Sequence, residues 1–237
     1  MSGSDNYRYL SWVRMPTWWT GRPEIHQALA KAPTGVAIAA LKLYLAVCSR
    51  ASRKSTEFLP RVGSVCETVS NWIDIVGVSR PMVIEGFRLL IELGLVEQLQ
   101  RRPGIYALVG YDGAGYWTRL PHKHLAGTGS PERILRLVEM SNRSRATLHA
   151  LQVYVYLASI RDRKTLQATV SYARMTEVLA MQRADVSQAL STLAAHHLVS
   201  MRHNDYDPVT RRKLPGVYWL KGRMGVAGED QLFGPED

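Results

Sequence analysis

The sequence predicts an α+β fold that is mainly helical and is built from two similar units in tandem. Two observations support this prediction. Apolar residues recur at helical spacing in several stretches, with shorter runs of alternating side chains between them. Four blocks of the first half also return in the same order in the second half, at offsets of 103 to 110 residues. Such repeated blocks are typical of an internal duplication.

The first unit opens with a short predicted strand that Pro16 ends, followed by a short helix over residues 24–31. Thr34 is an N-cap candidate for a long buried helix that ends near residues 49–52. A short strand around residues 57–64 is expected next.

A helix over residues 67–76 then ends at Gly77. Ser79 can cap the following helix, and residues 95–100 and 105–109 predict two strands joined by a turn. The unit therefore reads as a helix-turn-helix followed by a β-hairpin. The buried stripe of its last helix is predicted to be Val83, Phe87, Leu90 and Ile91.

The second unit opens at residues 116–121, which repeat the pattern of residues 11–16. The most extensive match aligns residues 78–96 with residues 181–199, so that Phe87 shares a core position with Leu190. A loose linker after Pro121 is followed by helices over residues 132–140, 144–160, 171–180 and 182–197, and by a hairpin of residues 198–203 and 216–220. The predicted domains are 1–115 and 116–223, with an acidic and disordered tail over 224–237.

Composition favours a nucleic-acid partner. The formal net charge is +10, and the sequence holds 23 Arg against 7 Lys. The planar guanidinium suits phosphate groups and guanine edges. Cys48 and Cys66 follow no secretory signal, which favours a reduced, cytoplasmic chain without a disulfide framework. The longest apolar run, residues 36–48, contains Lys42 and is shorter than the ~20 residues of a membrane helix, so no membrane association is expected.

Catalytic and metal-binding patterns are weak. His122, His124, His196 and His197 lack partners at ligand spacing, and residues 110–115 do not form a phosphate-binding loop. We expect no enzyme activity, no metal and no cofactor.

In a helix-turn-helix, the second helix presents its N-terminal residues to base edges, and basic residues of the wings contact phosphates. The second unit offers the more polar helix, which suggests that it reads sequence while the first unit holds the backbone or a partner. A solvated helix face is the alternative. The candidate base-reading residues are Gln182, Arg183, Asp185, Ser187, Gln188, Ser191, Ser79 and Arg80. The candidate phosphate-binding residues are Arg53, Lys54, Arg88, Arg101, Arg102, Arg163, Lys164, Arg211, Arg212 and Lys213.

Residues 78–96, with Arg80, Val83, Phe87 and the Leu-Gly-Leu-Val step into the hairpin, resemble bacterial winged-helix proteins. The tandem arrangement resembles plasmid replication initiators. This resemblance implies a protein that binds repeated double-stranded origin sites in the nucleoid or on a plasmid, with a homodimer and host replication or transcription proteins as further partners. A transcriptional regulator and a winged-helix assembly module are the alternatives.

Overall fold

The chain has α+β architecture in a computed structural model that describes residues 11–112, 116–127, 133–202 and 214–222. Over these residues the elements run as predicted in most places. The wing tip, which the sequence predicts over residues 204–215, lies outside them except for its last two residues, and the tail at 224–237 lies outside them entirely. In chain order the elements are β1 (Val13–Pro16), α1 (Pro23–Lys31), α2 (Thr34–Arg50), β2 (Ser64–Cys66), α3 (Val69–Val76), α4 (Arg80–Glu92), β3 (Val96–Gln100), β4 (Ile105–Leu108), β5 (Trp117–Leu120), α5 (His122–Ala126), α6 (Leu135–Glu139), α7 (Arg145–Ile160), β6 (Gln167–Val170), α8 (Tyr172–Leu179), α9 (Arg183–Ala195), β7 (Val199–Arg202) and β8 (Gly216–Leu220).

Each unit contains a three-stranded antiparallel sheet. The strand order is β2-β4-β3 in the first unit and β6-β8-β7 in the second, so a β-hairpin follows the last helix of each unit. The predicted hairpins are confirmed. The strand expected around residues 57–64 is wrong, because pairing begins only at Ser64, where β4 supplies a neighbour. Strand β6 was not predicted at all.

The long helices α2 and α7 form the centre of the molecule. They are buried along nearly their whole length, and each carries the last helix of its own unit, α4 on α2 and α9 on α7. Gly86 of α4 lies so close to α2 that a Cβ there would sit 3.1 Å from the backbone nitrogen of Ala40. Val83 and Phe87 flank this contact, and both are buried.

One residue of the predicted stripe is wrong. Ile91 is 39% exposed, whereas Gly86 is buried. Successive residues of a helix are separated by about 100°, so Ile91 turns away from the face on which Leu90 is fully buried. The glycine brings the two helix backbones together and leaves a narrow contact that Ile91 does not reach.

The short helices also depart from prediction in places. Helix α3 starts at Val69, where the Thr68 hydroxyl accepts a hydrogen bond from the amide of Asn71. Gly77 ends it in the left-handed region, with φ of 67°. The loose linker expected after Pro121 is wrong over its first part, since α5 forms there with Leu125 fully buried.

The two units are joined by pairing of β1 with β5. In this antiparallel pair Arg14 lies opposite Arg119, and the repeat makes these two residues equivalent. Equivalent elements also make reciprocal contacts, α1 with α8 and α6 with α3, while α2 packs on α7. The units are therefore related by an approximate two-fold axis that passes between β1 and β5.

Two equivalent buried residues cross this interface. Lys42 of α2 donates hydrogen bonds to the Met140 carbonyl at 2.8 Å and to Oδ1 of Asn142 at 2.7 Å. Gln152 of α7 occupies the equivalent place and donates to the His26 carbonyl at 3.2 Å. Burial lowers the pKa of Lys42 to about 8. Because one hydrophobic cluster extends through both units, they share a single core.

No helix within the described residues is both long and apolar enough to cross a membrane. Cys48 is buried and Cys66 is exposed, and both thiols are free.

Candidate nucleic-acid interface

The last helix of each unit begins at a solvent-exposed end. Arg80 opens α4 and Arg183 opens α9, at equivalent positions of the repeat, and both side chains are exposed. Met82 of α4 lies beside Gly35 at the start of α2. The carboxylate of Asp185 in the first turn of α9 lies 3.6 Å from Nδ1 of His149, near the start of α7. Both helices therefore begin near the N-terminal ends of the central helices.

Two of the predicted base-reading residues of α9 also hold the helix end. The Gln182 side chain accepts a hydrogen bond from the Asp185 backbone amide, and the Asp185 carboxylate accepts one from the Gln182 amide at 3.3 Å. Such a capping box satisfies amides that the first helical turn leaves unpaired. Asp185 is only partly exposed.

The other predicted residues of α9 face solvent. Ser187, Gln188 and Ser191 are exposed, although the Ser191 hydroxyl donates to the Ser187 carbonyl at 3.1 Å. The Arg183 guanidinium lies 5.4 Å from the ring centroid of Tyr172, which helps to hold it across the start of the helix. Arg183 and Gln188 thus present exposed N–H donors on this surface.

Helix α4 presents a different surface. Ser79 stands at the N-cap but makes no capping hydrogen bond with its side chain. The Arg88 guanidinium, a predicted phosphate ligand, lies 3.0 Å from the Glu85 carboxylate of the same helix. Ile84 of the same helix is 47% exposed.

A buried imidazole, that of His149, lies near the start of α9. Burial lowers the pKa of this imidazole, and the nearby Asp185 carboxylate raises it to a lesser extent. The first unit has Ala39 at the equivalent position of α2, so no titrating group lies there.

The hairpin of the first unit carries the predicted phosphate ligands Arg101 and Arg102 in the turn between β3 and β4, where both are exposed. Their counterparts in the second unit, Arg211, Arg212 and Lys213, lie outside the described residues.

The structure brings together two basic residues from different units. Arg53 and Arg163, which follow α2 and α7, both approach the outer face of the β1–β5 pair. The Arg53 guanidinium donates to the Trp12 carbonyl at 3.2 Å. Lys54 and Lys164 are exposed beside them but make no contact with this face among the described residues.

Four residues of this face were missed by sequence reasoning: Trp12, Arg14, Trp117 and Arg119. Their alternating pattern at an offset of 105 was read only as two strands. The repeat itself could have placed them together, because a strand that recurs next to a two-fold axis can pair with its own copy.

A metal site has no support in the parts of the chain that the structure describes, where no group of three or more His, Cys, Asp or Glu side chains converges. Comparison of the chain with models of protein families, with curated proteins and with solved structures finds no significant match.

Proposed function

We propose that the chain is a sequence-specific double-stranded DNA-binding protein made of two winged-helix units, with α4 and α9 as its recognition helices. One observation carries the proposal: each of these helices follows a short helix, precedes a β-hairpin and begins with an exposed arginine at an equivalent place about the two-fold axis. In a helix-turn-helix that end of the second helix enters the major groove.

The two-fold relation leads to an expectation for the DNA site. Recognition helices related by a two-fold axis bind half-sites of opposite orientation. Because the exposed residues of α4 and α9 differ, the two half-sites should differ in sequence. One chain would then bind an imperfect inverted repeat, with Arg183 and Gln188 reading the stricter half.

The net charge supports the phosphate contacts. With +10 charges on the chain, and with Arg101 and Arg102 exposed on a hairpin turn, the duplex backbone would be held beside the recognition helices. We assign Arg211, Arg212 and Lys213 the same role in the second hairpin.

The biological role that we propose is replication initiation on a plasmid or another mobile element, in the cytoplasm and with host replication proteins as partners. A transcriptional regulator is the alternative. Arrays of the selected site beside the gene would support initiation, and a single copy at a promoter would support regulation.

The test is binding to duplex DNA at several salt concentrations. We expect affinity to fall steeply with salt, and the Arg101→Ala/Arg102→Ala variant to reduce the log–log slope by roughly two. The Arg22→Ala/Lys31→Ala variant, which removes two exposed charges at α1, serves as control. Absence of binding at low salt would refute the DNA-binding proposal.

A second candidate function, a protein-binding surface, is favoured by α4. Ile84 and Ile91 are 47% and 39% exposed on this helix, where DNA offers few apolar contacts. In that arrangement α9 alone reads bases and α4 contacts a second copy of the chain or a replication protein. Substitution of Ile84 by Gln would then change assembly while leaving site selection unaltered.

A further inference from the structure

A cluster of aromatic and cationic side chains covers the outer face of the β1–β5 pair, at the two-fold axis. We call it the Trp-Arg cluster, and its members are Trp12, Trp117, Arg14, Arg119, Arg53 and Arg163. The two indole rings stack on each other with centroids 6.1 Å apart and planes 18° apart. Each unit contributes one tryptophan and two arginines at equivalent positions.

The guanidinium groups are held against the rings. Arg119 and Arg53 lie 4.9 Å and 5.0 Å from the ring centroid of Trp12. Arg14 and Arg163 lie 4.4 Å and 5.2 Å from that of Trp117. The negative faces of the indoles stabilise cations at such distances.

Strand geometry explains why the cluster forms. Val13 and Met15 point inward and are buried, so the alternating residues Trp12 and Arg14 point outward. The antiparallel register then sets Arg14 directly opposite Arg119. The arginines after α2 and α7 complete the cluster from its two sides.

Three of the four arginines in the cluster have no carboxylate partner within the described residues. None of the ion pairs within the described residues involves Arg14, Arg53 or Arg163. The carboxylate that precedes Arg163 in sequence, Asp162, accepts hydrogen bonds from the amides of Lys164 and Thr165 instead. The guanidinium groups of Arg14, Arg53 and Arg163 repel one another, and an anion with several charges would relieve this repulsion.

A small cleft opens beside the cluster. Its volume is about 200 Å³, and it is lined by Trp12, Arg14, Arg53, Val62 and Tyr111. Sites for whole small molecules usually occupy roughly 300–1,000 Å³. The cleft therefore suits a single phosphate group better than a complete nucleotide, and the guanidinium fork matches phosphate oxygens.

The cluster is remote from the ends of the recognition helices. It lies at the C-terminal ends of α2 and α7, which Arg53 and Arg163 follow, whereas α4 and α9 begin near the N-terminal ends. A helix of 17 residues, the length of α2, spans about 25 Å. One short, straight duplex lying across the starts of α4 and α9 would not be expected to reach the cluster.

We propose that the Trp-Arg cluster is a second DNA site, which binds backbone phosphates of a separate duplex segment without reading its sequence. Pairs of phosphates on a strand suit the paired arginines of the cluster. Because the arginines cover the indole rings, the rings position the guanidinium groups and do not stack on bases. One chain would thereby hold two DNA segments. The site is distinct from the base-reading surface proposed above and is tested separately from it.

The experiment measures how many duplexes of about 20 base pairs, each long enough to hold both half-sites, one full-length chain binds at low salt, by sedimentation. We expect two for the unaltered chain, one for Arg53→Ala/Arg163→Ala and one for Arg80→Ala/Arg183→Ala. The control Arg22→Ala/Lys31→Ala removes the same charge, including an arginine that stacks on Trp18, and should still bind two. Thermal unfolding checks that each variant folds.

The outcomes separate the two proposals. Two duplexes on Arg53→Ala/Arg163→Ala, or the same loss on the control, would overturn the second site. If the recognition-helix variant keeps both duplexes while the cluster variant loses one, the second site stands and the recognition role of α4 and α9 fails. Calorimetry with pyrophosphate tests for a free phosphate ligand. If Arg53→Ala/Arg163→Ala loses pyrophosphate binding but still binds as many duplexes as the unaltered chain, DNA is rejected as the occupant.

Discussion

The two units differ more on the surfaces of α4 and α9 than in the residues that pack these helices. Val83 and Phe87 of α4 correspond to Val186 and Leu190 of α9, and all four are buried. The exposed face of α4 carries isoleucines and an Arg–Glu ion pair. That of α9 carries serines, a glutamine and Arg183, which makes no ion pair within the described residues. Similar cores thus carry chemically different surfaces.

Two buried positions also distinguish the units. Lys42 corresponds to Gln152 at the interface, and Gly86 corresponds to Ala189 where the last helix meets the long one. The first unit therefore holds a buried amine at the interface, and a glycine in its helix contact where the second unit has an alanine. Changing these residues one at a time tests how far the units are interchangeable.

The largest expected effect concerns Lys42→Gln, which gives the first unit the residue of the second. The pKa of Lys42 is about 8 in the folded chain and 10.5 when unfolded, so the folded state binds fewer protons between these values. Relative to the variant, the free energy of unfolding should rise by ~3 kcal/mol from pH 8 to 10.5 and stay level below pH 8.

Urea denaturation at pH 7 to 10.5 measures this difference. The exposed Lys123→Gln serves as control and should show no such rise. If the difference in the free energy of unfolding between the unaltered chain and Lys42→Gln were constant over this range, burial would not lower the pKa of Lys42.

The next effect concerns base reading by the two helices. Arg183→Ala should reduce discrimination between the selected site and a mismatched site by ~2 kcal/mol, or roughly thirtyfold, because the proposed reading of a base by Arg183 predicts the loss of a bidentate contact to guanine. Arg80→Ala should change discrimination by less than about threefold, since the rest of the exposed face of α4 offers an apolar Ile84 and an Arg88 that is paired with Glu85. Competition binding with both duplexes checks this, and equal losses would refute the division of labour.

The smallest effect concerns the helix contact. Gly86→Ala should lower the free energy of unfolding by ~1 kcal/mol, because the new Cβ meets the α2 backbone at Ala40 and the strain exceeds the gain in helix propensity. Ala189→Gly should also destabilise, by a similar amount, through poorer helix propensity and a lost methyl contact. Chemical denaturation compares the two, and a stabilising Gly86→Ala would contradict the close approach.

Sequence reasoning succeeded where the signal is local. Helical spacing located α2, α7 and the last helix of each unit, and alternation with turn residues located both hairpins. It failed at β2 and β6, which become strands only because β4 and β8 lie beside them. Alternation within three or four residues cannot reveal a neighbour that is remote in sequence.

The candidate site divides in the same way. Helical periodicity predicted exposed positions for Arg80, Arg183 and Gln188, and they are exposed. The predicted turn did the same for Arg101 and Arg102. The use of Gln182 and Asp185 as a capping box depends on the backbone geometry of the helix end, which composition does not specify.

The sequence by itself determined the helices, the hairpins, the basic charge and the duplication, since each is written in neighbouring residues or in a repeat. Only the tertiary structure decided that the two copies face each other across β1 and β5, because strand pairing depends on which edges meet in space. The pairing of β1 with β5 places Trp12 against Trp117 and brings arginines from both units close together. A charge pattern that is dispersed along the chain became a single cationic surface.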